Sequence, residues 1–441
     1  MDNKKLDTSS SKEEVYIVDG ARTPFLKAKG APNTLSASDL AVNVGRELLA
    51  KQNFLPSELG EVVIGCVMPS ALEANIARVV ALRLGCGKDV PAFTVQRNCA
   101  SGMQALDSAL KDIQEGRYDL VLAGGAEAMS RAPLLLSDQM ASWMAGLNTA
   151  KGFGAKLKQW MKFRPANLVP ELALVKGLRD PIVNLSMGQT AENVAYTFGI
   201  TREEMDAYSL ESHRRVAYAQ DQNLFKDVYP AYDYKGDYYT ADNGVRRDTS
   251  MEQLAKLKPI FDKKFGSVTA GNSSQVTDGA ALLLLANKKA IKKYNLPVLA
   301  RITDSQWAGV DPAEMGLGPV YASTAMLQRL NLRNEDIDYW EINEAFAAQV
   351  LGCLAAMESD NYCRENLGLK EAFGRIDPSR LNVDGGAIAI GHPVGASGAR
   401  IVLRLVEILK RTEAKRGVAT ICIGGGQGGA MLIENVSGVT P

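Results

Sequence analysis

One order of elements occurs twice in this chain, and that repetition limits the folds open to it more than any other feature. In the first part, residues 62–67 read as a buried strand and 92–96 as a second strand entering the small-residue turn Asn98-Cys99-Ala100-Ser101-Gly102. Met103, Leu106, Leu110 and Ile113 then share one face of a helix, and a strand at 120–123 runs into Gly124-Gly125. Near the other end, a strand at 337–342 finishes in Asn343-Glu344, and a helix covers 345–357. The stretch 381–400, LNVDGGAIAIGHPVGASGAR, carries an apolar run at 387–390 in the place of the second strand. That run meets a glycine turn bearing His392, and a helix follows through Ile401, Val402, Leu405 and Val406. A strand at 418–423 then runs into Gly424-Gly425-Gly426. Ser101-Gly102 after Cys99 corresponds in place to Ser397-Gly398 after His392. Two copies of one α/β unit packed face to face bring these two helix-starting turns together.

Length and composition narrow the setting. A chain of 441 residues exceeds what one core supports, so two or more domains are expected. Lys plus Arg and Asp plus Glu number 50 each, so no global field draws the chain to nucleic acid or lipid. Cys66, Cys86, Cys99, Cys353, Cys363 and Cys422 are scattered without a CxxC pair, and only two histidines accompany them. Neither a metal site nor a disulfide framework is expected, and reduced thiols fit a cytoplasmic protein. Residues 1–14 are polar and of mixed charge and read as a disordered tail, not a signal or transit segment. No apolar run reaches membrane-spanning length.

Between the copies, 137–276 breaks the rhythm. It holds a basic amphipathic segment at 151–164, helices at 187–198 and 203–220, and an aromatic-rich stretch at 229–239. An insertion of this length reads as a lid or binding subdomain. The expected division is a tail 1–14, a first half 15–136 completed by 277–297 (strand 280–285, helix 288–294), the insertion 137–276, and a second half 298–441.

The residues able to do chemistry sit at strand ends and helix starts. A helix N-terminus lowers a thiol pKa, which favours Cys99 as a nucleophile, although a lone Cys is more often a small buried hydrophobe. Taken singly, Cys422 reads as a core strand residue and Asn343 as a helix cap. His392 differs, because a glycine turn is a poor place to bury a ring for packing alone. The run at 424–429, GGGQGG, is followed by a strand and not a helix, which excludes a dinucleotide fingerprint and leaves exposed backbone amides. There is no G-x-S-x-G for a serine hydrolase. Together, two thiols, an imidazole and a side-chain amide suit carbon–carbon chemistry on a thioester. One thiol takes the acyl group, the imidazole activates it, the second thiol moves a proton, and Asn with backbone N–H groups holds the oxyanion.

NCASGMQAL around Cys99, NEAFAAQ around Asn343, GGAIAIGHPVGASGAR around His392 and CIGGGQGGAM around Cys422 resemble the four signature blocks of thiolases. These are acyltransferases that cleave or form 3-ketoacyl-CoA. VDGARTPF, GGAEAMSRAP, TAENVA and VTAGNSSQVTDGAA resemble further segments in the family's order, so the likeness spans nearly the whole chain from Val15. It implies a five-layer αβαβα fold of two similar α/β halves, with 137–276 as a loop domain binding coenzyme A. By the same resemblance Cys99 is the nucleophile and His392 its base. A water held by Asn343, with His392, forms one oxyanion hole; the N–H groups of Cys99 and Gly424 form the second. Cys422 moves the proton of the acetyl-CoA enolate, Ser274 meets the pantetheine arm and Arg246 the adenine end. Coenzyme A is then a co-substrate, with no permanent cofactor or metal, and a homodimer or homotetramer is implied.

The implied activity is thiolytic cleavage of 3-ketoacyl-CoA in fatty-acid oxidation, with acetoacetyl-CoA formation as the alternative. The second active-site Cys argues against a condensing synthase, and retention of all four residues against a non-catalytic scaffold. Ser186-Met187-Gly188 stands where the family often has His before Met-Gly. The segment 151–181 resembles the insertion of β-subunits of fatty-acid oxidation complexes, as does LGPVYASTAMLQRL, which implies an α-subunit as partner. Those subunits usually carry His-Glu where this chain has Asn343-Glu344. Lys156, Lys158, Lys162 and Arg164 alternate with Leu157, Trp160, Met161 and Phe163. A helix packed on its own protein is preferred there to a surface for lipid or for a partner subunit.

Overall fold

The computed structural model describes residues 13–436. The first half runs β1 (Val15–Arg22), α1 (Ala37–Ala50), β2 (Glu61–Gly65), α2 (Ile76–Arg83), β3 (Ala92–Val95), α3 (Ser101–Gln114) and β4 (Leu120–Ala128). The insertion carries α4 (Asp138–Thr149), α5 (Phe153–Trp160), α6 (Ala173–Gly177), α7 (Met187–Phe198) and α8 (Arg202–Asp221). The first half resumes with β5 (Thr277–Ala286) and α9 (Lys288–Tyr294). The second half is β6 (Ala300–Gly309), α10 (Gly318–Arg329), β7 (Tyr339–Ile342), α11 (Ala347–Glu358), α12 (Ala387–Ile390), α13 (Val394–Thr412), β8 (Arg416–Ile423) and β9 (Gln427–Glu434).

The strands form one ten-stranded sheet in the order β7-β8-β9-β6-β1-β5-β4-β2-β3, with the short strand Leu26–Lys27 added beside β5. Its two flanks repeat. In one, β2 runs parallel to β4, β4 antiparallel to β5, and β5 antiparallel to β1. In the other, β7 runs parallel to β8, β8 antiparallel to β9, and β9 antiparallel to β6. The flanks join where Val15, Tyr16 and Ile17 of β1 pair with Ile302, Arg301 and Ala300 of β6.

Side-chain alternation makes the layers. Val15 and Ile17 of β1, Val63 of β2, and Ala419, Ile421 and Ile423 of β8 point into one core filled by α3 and α13. Tyr16, Val18, Val62 and Ile64 point the opposite way against α1 and α2. Val418 of β8 and Trp340 and Ile342 of β7 pack outward on α10 and α11. The result is five layers in which the two flanks of the sheet are separate β layers: helix, flank, helix, flank, helix. The two central helices approach at their first turns. A Cβ on Gly102 would sit 2.8 Å from Gly395 O, and one on Gly398 would sit 2.6 Å from Met103 N.

Several local expectations need correction. β4 does not turn at Gly124-Gly125 but continues to Ala128, because these glycines make room for the neighbouring backbone. The run 387–390 is one helical turn and not a strand. Its Ile388 N–H donates to the buried Glu344 carboxylate at 3.2 Å instead of to a sheet neighbour. Ser36 caps α1 through a reciprocal box with Asp39. Residues 1–12 of the expected tail lie outside the described residues, while Glu14 at its end is ion-paired with Lys288 at 2.7 Å and with Arg301. The basic segment 151–164 is not packed away: no residue of α5 is buried.

Candidate active site

The two turns singled out by the repeat meet in one place. Asn98 adopts a left-handed backbone (φ 43°), which Asn tolerates better than most residues. Its Nδ2 donates to Gly424 O at 2.7 Å, tying the Cys99 turn to the hairpin after β8. In that hairpin Gly425 and Gly426 take positive φ of 90° and 78°, turning β8 back as β9. Cys99 and Gly424 line one cavity of about 290 Å³, together with Val394, Met187, Met129 and the insertion residues Leu174, Leu178 and Pro181.

Cys99 is half-buried two residues ahead of α3, with Ala100 as the cap position. The expectation of a lowered thiol pKa does not hold. Burial pushes the Cys99 thiol up, outweighing the N–H groups of Gly424 and of Cys99 itself, which pull it down. The buried carboxylate Glu127 adds to the rise. An activating base is therefore needed.

His392 is buried at the start of α13, whose N-cap is Pro393. Ser397, one turn on, donates its hydroxyl to Pro393 O at 3.1 Å. With that proton committed, His392 Nδ1 donates to Ser397 Oγ at 2.6 Å, and the lone pair lies on Nε2. Burial and then the Arg400 charge hold the imidazole down at about 3, so it is a free base. Nε2 faces Asn343 Nδ2 at 3.5 Å. The amide is oriented by Arg400 Nη2, which donates to Asn343 Oδ1 at 3.3 Å, while Arg400 pairs with Glu341 at 3.3 Å.

Cys422 is fully buried at the end of β8, next to Ile388, Met187 and Ala347. Burial, followed by the negative charge of a Cys99 thiolate, raises its pKa well above the ordinary range. It is held as a protonated thiol. Thus Cys99 and Gly424 face the cavity, as does Val394 two residues after His392, while His392, Asn343 and Cys422 are buried and are not part of its wall.

Ser274 and Arg246 are not part of the cavity wall. Ser274 N–H donates to Ala345 O at 2.9 Å, two residues beyond Asn343. Arg246 N–H donates to His213 Nδ1 on α8 at 3.1 Å. Residues without an assigned part in the sequence reading also shape the site. Glu344 accepts from Tyr208 and Ser212 of α8 and from Ile388, at 3.1, 2.7 and 3.2 Å, clamping the insertion to the His392 segment. Glu127 accepts from Val67, Met68 and Gly395 at 2.8, 3.1 and 3.1 Å, and burial nevertheless pushes it up to about 7. Asn98 was the one legible in principle, since Asn before a small-residue turn is a common left-handed position.

The thiolase N-terminal domain profile matches residues 15–289, and the thiolase C-terminal domain profile matches 296–435. The chain belongs to the thiolase family. It is 37% identical over 425 residues to the 3-ketoacyl-CoA thiolase of Yersinia enterocolitica, covering 96% of this chain and 97% of that protein. The acetyl-CoA acetyltransferase of Bacillus anthracis superposes with a TM-score of 0.84 at 36% identity, over 97% of this chain and all of the other. Human mitochondrial 3-ketoacyl-CoA thiolase in complex with CoA superposes with a TM-score of 0.82 at 36% identity, over 96% of this chain and 98% of the other. Among the described residues, no group of three or more His, Cys, Asp or Glu could hold a metal ion, and no helix is long and apolar enough to cross a membrane.

Proposed function

We propose that this thiolase cleaves 3-ketoacyl-CoA with coenzyme A, giving acetyl-CoA and a shortened acyl-CoA through an acyl group carried on Cys99. The observation that carries this reading is the meeting of the halves: Cys99 and Gly424 share a cavity with Val394, two residues after a buried His392 whose free nitrogen is Nε2. His392 Nε2 takes the Cys99 proton as sulfur attacks the ketone carbonyl. The oxyanion meets the N–H groups of Cys99 and Gly424, while His392 and a water on Asn343 hold the oxygen of the enolate that leaves next. The C2–C3 bond breaks, its electron pair leaves as the acetyl-CoA enolate, and Cys422 donates the proton. The thiol of coenzyme A gives its proton to the Cys422 thiolate and attacks the acyl-Cys99 thioester; the oxyanion again meets the N–H groups of Cys99 and Gly424, and its collapse breaks the C–S bond to Cys99, whose thiolate takes its proton back from His392. Leu174, Leu178 and Pro181 offer an apolar wall for the acyl chain.

Residues 137–276 are proposed as the coenzyme A-binding loop domain, with Ser274 toward the pantetheine arm and Arg246 toward the adenine end, supported by the CoA complex of the human relative. A cytoplasmic homodimer or homotetramer accompanies this reading. An oxidation-complex α-subunit as partner rests on the resemblance of 151–181 alone. The reverse reaction, forming acetoacetyl-CoA, is the second reading, favoured by the likeness to the acetyl-CoA acetyltransferase. Following the loss of ketoacyl-CoA enolate absorbance on adding coenzyme A tests the proposal. Turnover that disappears in Cys99→Ala is expected; no cleavage at any acyl length, or cleavage surviving Cys99→Ala, contradicts it.

A further inference from the structure

Glu127 is fully buried in β4, and its carboxylate collects donors from both halves of the molecule. Oε2 accepts from the Val67 N–H at 2.8 Å and from the Gly395 N–H at 3.1 Å. Oε1 accepts from the Met68 N–H at 3.1 Å and from the Cys66 thiol at 3.6 Å. Among the described residues no Lys or Arg forms an ion pair with it. Burial pushes the carboxyl up to about 7 in spite of its N–H donors. A carboxyl raised in this way lowers stability as pH climbs past the ordinary carboxylate range, so stability does not account for its presence.

Its contacts point to position instead. Helix α13 begins after Pro393, which supplies no side-chain cap. Gly395 lies in the first turn, where N–H groups have no partner within the helix. Glu127 supplies the missing acceptor from the other half, and negative charge suits that end of a helix. The approach is close: a Cβ on Gly395 would sit 2.8 Å from Glu127 Oε2 and 2.8 Å from Ala126 O. Val67, Met68 and Val394, all held or adjoined by these bonds, line the Cys99 cavity, and His392 stands three residues before Gly395. We propose that Glu127 is a positioning residue: by capping α13 across the junction of the halves it sets the His392 imidazole for Cys99 and fixes the 67–68 wall of the cavity. This rests on the reading of His392 as the base of Cys99. The carboxylate acts by charge as well. Burial first, and then the Glu127 charge, raises the Cys99 thiol. Of the other titratable groups around Glu127, Cys66 is held protonated by burial and by the same charge, and His392 is neutral.

Glu127→Gln and Glu127→Asp separate position from charge. Gln has the reach but no charge, and sets an amide N–H against backbone donors; Asp keeps the charge and falls short. Both should slow acylation of Cys99 by ketoacyl-CoA about 100-fold in single-turnover mass spectrometry, as expected for a reacting group displaced by about 1 Å. The half-saturating substrate concentration of that step should not change. Alkylation of Cys99 by iodoacetamide should move to lower pH in Glu127→Gln and stay at the wild-type position in Glu127→Asp. Circular dichroism reports whether each variant is folded. Acylation at the wild-type rate in either folded variant, or an unmoved alkylation profile in Glu127→Gln, overturns the proposal. Failure of both variants to fold overturns it too, by assigning Glu127 to stability. Wild-type protein that takes no acyl group contradicts the function proposed for Cys99 and this proposal with it, whereas variants that match an acylating wild type contradict this proposal alone.

Discussion

The two halves are built on one frame, yet they use glycine for opposite purposes. In the first half Gly124 and Gly125 lie inside β4, and a Cβ on Gly125 would fall 1.9 Å from Gly395 O. Those glycines let the other half press its His392 turn against the sheet. In the second half the equivalent strand β8 stops at Ile423, and glycines 424–426 form the hairpin that presents Gly424 to the cavity. One half is shaped to be approached and the other to turn back. The division extends to chemistry: the first half offers a half-accessible thiol, the second a buried free base, an oriented amide and a second, protonated thiol. The candidate active site lies where the equivalent positions of a duplicated frame diverge.

That contrast can be broken at several points. Removing the base should have the largest effect: His392→Asn should slow acylation of Cys99 about a thousandfold, read by rapid-quench mass spectrometry. Acylation within tenfold of wild type would remove His392 from its role. Next comes the glycine contrast. Gly125→Ala should cost about 1–3 kcal/mol or more, seen in denaturant unfolding, because its Cβ meets backbone. Gly424→Ala should be tolerated to within about 1 kcal/mol, since its Cβ meets only the Met187 sulfur at 3.2 Å and Asn98 Nδ2 at 3.9 Å. Equal costs would erase the distinction. Asn98→Ala strains the left-handed position and loses the bond to Gly424 O, for about 1–2 kcal/mol.

The smallest effect is on titration. Burial raises the Cys99 pKa, so alkylation by iodoacetamide should keep rising with pH through and beyond the ordinary thiol range. A plateau at or below neutral pH would restore the helix-dipole thiolate.

Much of this was legible from residue pattern. Helices 187–198 and 288–294 matched, as α7 and α9, because their ends carry strong signals: Ser186 with Gln189 makes a capping box, and Asn287 caps the other. The repeat was legible because both central helices need small residues in their first turns. Strand β6, ARITDSQWAG, alternates too weakly and with too many polar residues to be read as a sheet member. Its membership comes from pairing with β1 and β9, a long-range fact. Gly124-Gly125 misled because a close backbone approach and a turn both ask for glycine, and only the neighbour decides which. The Cys99 pKa misled in the same way: helix position is written in the sequence, burial is not. Nor could Ser397 be assigned to His392 before the turn was seen to bring them together at 2.6 Å.

The division of labour between the halves is tested most directly by Cys422→Ser, mixed with ketoacyl-CoA or with acetyl-CoA and followed by intact-mass spectrometry. Acetyl-CoA should still acylate Cys99, while cleavage and formation of the carbon–carbon bond slow by orders of magnitude. Equal loss of acyl transfer and of carbon–carbon chemistry would contradict it.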